Sequence, residues 1–94
     1  LGVVGYDVDR RVAQYYGLPV AQGVFVVELS KDGPATAAGL RVGDVLTSLD
    51  GTPLNGASDL IEVLRGKGIG AIVEVAFERQ GPRKTRITIG TRPF

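Results

Sequence analysis

The sequence contains neither cysteine nor histidine, and these two absences exclude much of the chemistry that side chains perform in enzymes. Without cysteine, there is no disulfide framework, thiolate zinc site or cysteine nucleophile. Without histidine, there is no Ser-His-Asp triad and no imidazole ligand or acid–base group. We therefore expect a domain with no catalytic residue, no metal ligands and no cofactor, whose work is binding.

Long apolar runs and an excess of one charge are absent too. The longest apolar run, Val24-Phe25-Val26-Val27, is far shorter than the roughly 20 residues that cross a bilayer. Eleven basic residues against ten acidic give a formal net charge of +1, which is too even to indicate a nucleic-acid partner. The basic residues between Arg79 and Arg92 predict the solvated face of a strand pair. We expect no nucleic-acid partner and no membrane insertion.

The 94 residues fit a single domain, residues 1–94, because two domains would each be too small to hold a core. Caps and periodicity predict two helices, Arg10 to Tyr16 and Ala57 to Arg65, and a single helical turn opened by Pro34. Asp9 is the expected N-cap of the first helix, and Gly17 is its expected end.

Apolar patterns predict five to six short strands. The continuous apolar run from Gly23 to Leu29 is typical of a central strand buried on both faces. Alternating patterns predict a half-buried antiparallel pair on either side of Gln80-Gly81-Pro82. Shorter strands are expected near Val3 and at Val45 to Leu49. The fold class is therefore α+β, with five to six strands, two helices and one core.

Two patterns resemble chemical sites but favour structural roles. Gly66 to Ala71 matches the letters of a dinucleotide fingerprint, but a helix precedes it and a strand follows, which is the reverse of the order that binds phosphate. Asp7 with Asp9, and Asp44 with Asp50, are pairs of carboxylates. A helix cap at Asp9, a strand entrance at Asp44 and a turn at Asp50 explain these residues without catalysis.

The informative stretch runs from Gly33 to Gly51. Small residues such as Ala35 let a one-turn helix approach a sheet closely, Gly39 supplies a left-handed stop, and Leu40 fills the core. The pattern Pro-Ala-x-x-Ala-Gly-Leu-x-x-Gly-Asp-x-Leu, followed by Leu-Asp-Gly, resembles the signature of PDZ domains in its bacterial form. The resemblance implies a small PDZ-like β-sandwich or barrel that binds an extended peptide as an added strand.

The N-terminal half resembles the PDZ domains of HtrA/Deg serine proteases, in the order strand, helix, strand and then signature. In that family, an apolar-Gly-apolar loop binds the peptide carboxylate. Carried over by position, Leu1, Gly2 and Val3 offer N–H groups to the carboxylate. The strand that pairs with the peptide then comprises Val3, Val4, Gly5 and Tyr6. In the family, a residue precedes the triplet, often with a basic residue near it, and the present sequence begins at Leu1. If Leu1 is the true first residue, its nitrogen is a charged amine, which could alter carboxylate affinity in either direction.

The opposite wall of the peptide site is expected to be the helix from Ala57. On a 3.6-residue period, Ala57, Ile61 and Leu64 share one stripe, which we assign to the groove, and the neighbouring stripe, Leu60 and Val63, is assigned to the core. The alternative places all five in the core. With the first assignment, Val3, Ile61 and Leu64 line an apolar pocket for the last side chain of the peptide. Ala57, where many animal PDZ domains have histidine, favours apolar C-termini over a ligand Ser or Thr.

The resemblance implies a non-catalytic module attached to a trypsin-like protease in the bacterial periplasm or cell envelope. Its partners would be hydrophobic C-termini, or exposed extended segments, of unfolded proteins. One alternative is a PDZ domain of another protease or secretion component. Another is a docking or oligomerisation module, in which Phe94 enters the groove of a second copy.

Overall fold

The computed structural model describes residues 3–18, 20–68 and 70–89. Six strands and three helical segments follow in the order β1 (Val3–Asp7), α1 (Arg10–Tyr16), β2 (Val24–Leu29), α2 (Pro34–Ala37), β3 (Val45–Leu49), β4 (Thr52–Pro53), α3 (Ala57–Arg65), β5 (Ile72–Glu78) and β6 (Pro82–Thr88). This content agrees with the predicted α+β class. The two-residue strand β4 was not predicted.

The strands form one antiparallel sheet in the order β1-β2-β3-β5-β6, and β4 pairs with β3. In the described part of the chain, β1 and β6 are therefore the outer strands of this path. The pairing of β1 with β2 shifts register between Val4 and Gly5, which marks a β-bulge. β2 lies between β1 and β3, as its continuous apolar run predicts.

The predicted ends of α1 are confirmed. The Val12 N–H donates to Oδ1 of Asp9 at 2.8 Å, so Asp9 is the N-cap. Gly17 follows the helix in the left-handed region, with φ of 66°, where glycine has no Cβ penalty.

The core consists of two clusters, whereas the sequence predicts one. The main cluster lies beneath the sheet and includes α3. A smaller cluster lies beneath α1 and contains Val8, Ala13, Phe25 and Val45. The second cluster forms because the alternate faces of β2 are both buried: Val24 and Val26 pack into the main cluster, and Phe25 packs into the smaller one.

Asp44 is the one charged residue in the buried set of the described chain, with 2% of its surface exposed. Arg79 donates to it from Nε to Oδ1 at 2.7 Å and from Nη2 to Oδ2 at 2.6 Å. The Arg41 N–H adds a third hydrogen bond at 2.8 Å. The carboxylate of Asp44 raises the pKa of Arg79 by hydrogen bonding. The prediction that Arg79 belongs to a solvated face is thus wrong, because its guanidinium pairs with a buried carboxylate.

Asp50 opens the predicted turn after β3, with φ of 49°. Its carboxylate accepts the Glu74 N–H at 2.8 Å and lies 2.8 Å from the Lys67 ammonium. The hydrogen bond from Lys67, followed by that from Glu74, lowers the pKa of Asp50. The turn therefore ties β3 to β5 and to the segment after α3.

Candidate functional site

Strand β1 presents one edge to β2 and the other edge away from the sheet. Within the described residues, β2 is its only strand partner. On an outer antiparallel strand, alternate backbone N–H and C=O groups point away from the sheet and can pair with another extended chain. Helix α3 contacts β1. The surface between these two elements, the β1–α3 groove, is where the sequence places the peptide site.

The side chains of β1 differ in exposure, and Val3 is the one that reaches the core. Val3 is half-buried and packs against the main core cluster. Val4 and Tyr6 are 51% and 57% exposed. Val3 thus lies where it could contact a bound side chain from the core side of the strand. Val4 and Tyr6 lie on the open surface.

Gly5 lies at the bulge, where β1 approaches β2 closely. A Cβ added at this position would collide with Cγ1 of Val24 and would lie 3.1 Å from the carbonyl oxygen of Phe25. Val24 is buried and β-branched, so it has little room to move. Gly5 is therefore required for the path of the predicted peptide-binding strand.

On α3, the groove and core stripes are not separated as the sequence predicts. Ile61 is 41% exposed and Ala57 is half-buried, so both remain accessible in part. Leu64 is 5% exposed and belongs to the main core cluster with Leu60. The reason is geometric: at 100° per residue, Leu64 lies on the helix between Leu60 and Ala57. Leu64 is therefore a core residue and not an open wall of the groove.

The start of α3 is capped by a residue of β1. Gly56 occupies the N-cap position and has no side chain to accept a helix N–H. Instead, the Ala57 N–H donates to Oδ1 of Asp7 at 2.7 Å. No local sequence pattern predicts this contact, because Asp7 and Ala57 lie 50 positions apart in the chain. The only sequence signal is negative, a glycine where Ser, Thr, Asp or Asn is usual.

Two parts of the predicted site lie outside the described residues. Leu1 and Gly2, two of the three proposed carboxylate donors, are in this group. Phe94, the residue proposed to enter the groove of a second copy, is another. Their roles stay predictions.

Across residues 3–18, 20–68 and 70–89, no cluster of three or more acidic, cysteine or histidine side chains could hold a metal ion. The same ranges contain no helix with the length and apolarity needed to span a membrane.

Comparison with known sequences finds a match to the PDZ domain family over residues 2–89. Among curated relatives, a probable periplasmic serine endoprotease, DegP-like, from Ectopseudomonas mendocina is 40% identical over 94 residues, covering 99% of this chain and 20% of the relative. The protein of the same name from Pseudomonas fulva is 38% identical with the same coverage. The chain thus spans about a fifth of the length of these relatives.

Comparison with solved structures gives the same fold. The HtrA-type protease AlgW, solved with a decapeptide, matches with a TM-score of 0.83 and 28% identity, over 100% of this chain and 29% of that protein. The HtrA3 PDZ domain, solved with a phage-derived ligand, matches with a TM-score of 0.79 at 19% identity, over 96% of this chain and 81% of that one. The second likeness supports the fold alone.

These findings confirm the PDZ fold and the resemblance to HtrA-type domains inferred from the residues. The matched region is a non-catalytic domain of the serine proteases that contain it. With the match spanning residues 2–89, this chain belongs to the PDZ domain family.

Proposed function

We propose that this domain binds hydrophobic C-termini, or exposed extended segments of unfolded proteins, as a strand added to β1. The observation that carries the proposal is the position of β1: an outer strand of the sheet whose neighbour across the groove is the amphipathic helix α3. Main-chain hydrogen bonds would supply affinity without reference to sequence. The side chains along the groove would then select among peptides.

The groove favours an apolar terminal side chain. Val3 and Ile61 present partly accessible aliphatic surface from opposite elements, and Leu64 would lie beneath them in the core. Ala57, at the start of α3, has no side-chain donor or acceptor for a ligand hydroxyl. Burying an aliphatic side chain here would contribute about 25 cal/mol per Å² of apolar surface removed from water.

Carboxylate capture is the second part of the proposal. The segment Leu1-Gly2-Val3 immediately precedes and enters β1. Backbone N–H groups that converge on one point form an anion-binding nest, and glycine lets the backbone adopt the required curl. The apolar-Gly-apolar pattern supports this role for the three N–H groups.

The partner domain follows from the relatives. Their names describe periplasmic serine endoproteases, and the AlgW structure holds a decapeptide. We propose that this chain serves a trypsin-like protease domain in the periplasm or cell envelope of a bacterium. Its bound peptides would deliver substrates to that protease or regulate it.

Fluorescence anisotropy with one labelled peptide in two forms tests the proposal. The peptide ends in Val, once as the free acid and once as the C-terminal amide, and is titrated with the 94-residue chain. Carboxylate capture predicts at least tenfold tighter binding of the acid, because charge-assisted hydrogen bonds to backbone N–H groups are lost in the amide. Equal affinities would exclude carboxylate capture, and absence of binding to either form would exclude the function.

A further inference from the structure

The N-terminal turn of α3 is joined to β1 by a polar contact. The buried side chains of α3 are Leu60 and Leu64, which lie beyond its first three residues. Within that first turn, Asp59 accepts the Asn55 N–H at 2.9 Å, a contact that closes the loop onto the helix but does not reach β1. Among the side-chain hydrogen bonds of the described residues, the one from Ala57 to Asp7 connects the two walls of the groove.

Asp7 and Gly56 are sterically matched. A Cβ added to Gly56 would lie 2.9 Å from Cγ and Oδ1 of Asp7 and 3.0 Å from Oδ2. The φ of Gly56 is 179°, an extended conformation that any residue adopts. Glycine is therefore required here for space, because the carboxylate of Asp7 occupies the volume that an ordinary capping side chain would fill.

The other capped helix provides a contrast. In α1, Asp9 is adjacent to the helix it caps and accepts the Val12 N–H at 2.8 Å. That local cap stabilises α1 without joining it to another element. The cap on α3 comes instead from the last residue of β1, so a single carboxylate serves the helix and the strand together.

We infer that Asp7 is a positioning residue, which fixes the width of the β1–α3 groove by tethering the first turn of α3 to the end of β1. The inference rests on the proposed function for its consequence in binding. Loss of the tether leaves intact the core anchors on either side of the first turn, Leu54 and Leu60, and lets the turn between them shift relative to β1. A groove that is correctly spaced for only part of the time binds peptide more weakly in proportion to that fraction.

Four variants separate tethering from helix capping. Asp7→Ala removes both, whereas Asp7→Asn keeps an oxygen acceptor. The double variant Asp7→Ala/Gly56→Ser restores a local cap in the space that the carboxylate vacates, but not the link to β1. Asp9→Ala is the matched control, since it removes a cap from a helix outside the groove.

The first readout is affinity for the Val-terminated free-acid peptide, with stability followed by urea unfolding. We expect Asp7→Ala to bind about fivefold more weakly, and the double variant to regain stability while its affinity stays low. Asp7→Asn and Asp9→Ala should bind like the wild type. Recovery of affinity in the double variant, or an equal loss in Asp9→Ala, would overturn the tether.

The second readout does not depend on peptide binding. Because the chain has no cysteine, spin labels can be placed uniquely at Glu28→Cys on β2 and Ser58→Cys on the first turn of α3, both exposed sites. The distances between the two labels would be measured by pulsed electron–electron double resonance. The distance distribution should be broader in Asp7→Ala and in the double variant than in the wild type or in Asp7→Asn. Identical distributions would overturn the inference.

A wild type that binds no peptide would instead refute the proposed function, and the label distances would still decide the role of Asp7.

Discussion

Asp44 shows how strongly a single residue can depend on its partners. A carboxylate that is 2% exposed is stable only when its oxygens are hydrogen-bonded, and Arg79 and the Arg41 N–H supply those bonds. Arg79 also donates to the Gly39 carbonyl at 2.8 Å. The ion pair thereby joins the loop after α2 to the end of β5.

Arg79→Ala should lower the free energy of unfolding by about 2 to 3 kcal/mol, because it leaves Asp44 buried without its charge partner. The expected loss is smaller than for a fully buried ion pair because the Arg79 side chain is partly exposed. Urea unfolding measures the change. Arg86→Ala, which removes an exposed arginine from β6, is the control and should change stability by less than about 0.5 kcal/mol. Equal losses in the two variants would contradict the role of the pair.

Asp50 predicts a pH dependence of stability. The pKa of Asp50 is lowered by Lys67 and by the Glu74 N–H. The folded state therefore binds a proton at Asp50 less readily than the unfolded chain, in which an aspartate has a pKa of about 3.9. The stabilisation is therefore present above that pH and is lost as the pH falls through the folded pKa.

Asp50→Asn should be less stable than the wild type at pH 7, and the two should converge as the pH is lowered toward 2. Asn tolerates the left-handed backbone at this position, so the comparison isolates the charge. Lys67→Met should reduce the same difference, because Lys67 is the largest cause of the shift. Urea unfolding across the pH range measures the effect, and a gap between wild type and Asp50→Asn that does not depend on pH would be the contrary result.

Ile61 is the residue through which α3 is expected to contact a peptide side chain. Ile61→Ser should weaken binding of the Val-terminated peptide about fivefold, since it removes apolar surface worth roughly 1 kcal/mol. Ile72→Ser is the control, because Ile72 is also exposed, at 64%, but lies on β5. Anisotropy titration compares them, and similar affinities for both variants would place the peptide elsewhere.

At the scale of elements, the fit between β1 and β2 determines where the proposed peptide strand can lie. The bulge after Val4 and the close contact of Gly5 with Val24 set the path of β1. At the other end of the strand, Asp7 joins it to α3. The strand is thus constrained along its length by its own neighbours before any peptide binds.

Gly5→Ala should cost about 1 to 3 kcal/mol of stability, because its Cβ overlaps a buried valine and crowds a backbone carbonyl. The same displacement of β1 should weaken peptide binding. Gly68→Ala is the control, since a Cβ there meets no atom within 4 Å and its backbone is not left-handed. Thermal unfolding of both variants measures the difference, and a neutral Gly5→Ala would show that β1 has room to shift.

The elements that local patterns specify were predictable. Capping and periodicity predict α1 and α3 at their observed bounds, and the apolar run predicts β2. What the sequence could not supply are contacts between residues far apart in the chain. The cap from Asp7 to α3 spans 50 positions, and the ion pair between Arg79 and Asp44 spans 35. The periodicity predicts Leu64 on the groove side of α3 because it separates the faces of a helix. It does not say how deeply a residue at the border between two faces is buried.

At the scale of the whole molecule, the described path of the sheet ends in two outer strands, β1 and β6, that could take an incoming peptide. β1 has the amphipathic helix α3 with its exposed Ile61 beside it, and β6 carries Arg83, Lys84 and Arg86. The two outer strands also differ in the helix that packs beside them. Helix α2 contacts β6, and the Thr85 hydroxyl on β6 donates to the carbonyl of Ala38, just after α2, at 2.9 Å. The apolar surface beside β1 is the reason to expect a hydrophobic peptide there and not at β6.

The location of a bound peptide in solution therefore tests the central claim most directly. Nuclear Overhauser effects would be recorded between an unlabelled Val-terminated peptide and the isotope-labelled 94-residue chain. We predict contacts between peptide backbone protons and the amides of Val3–Asp7, with side-chain contacts to Ile61, in an antiparallel register. Contacts to Pro82–Thr88, or to neither outer strand, would contradict strand addition at β1.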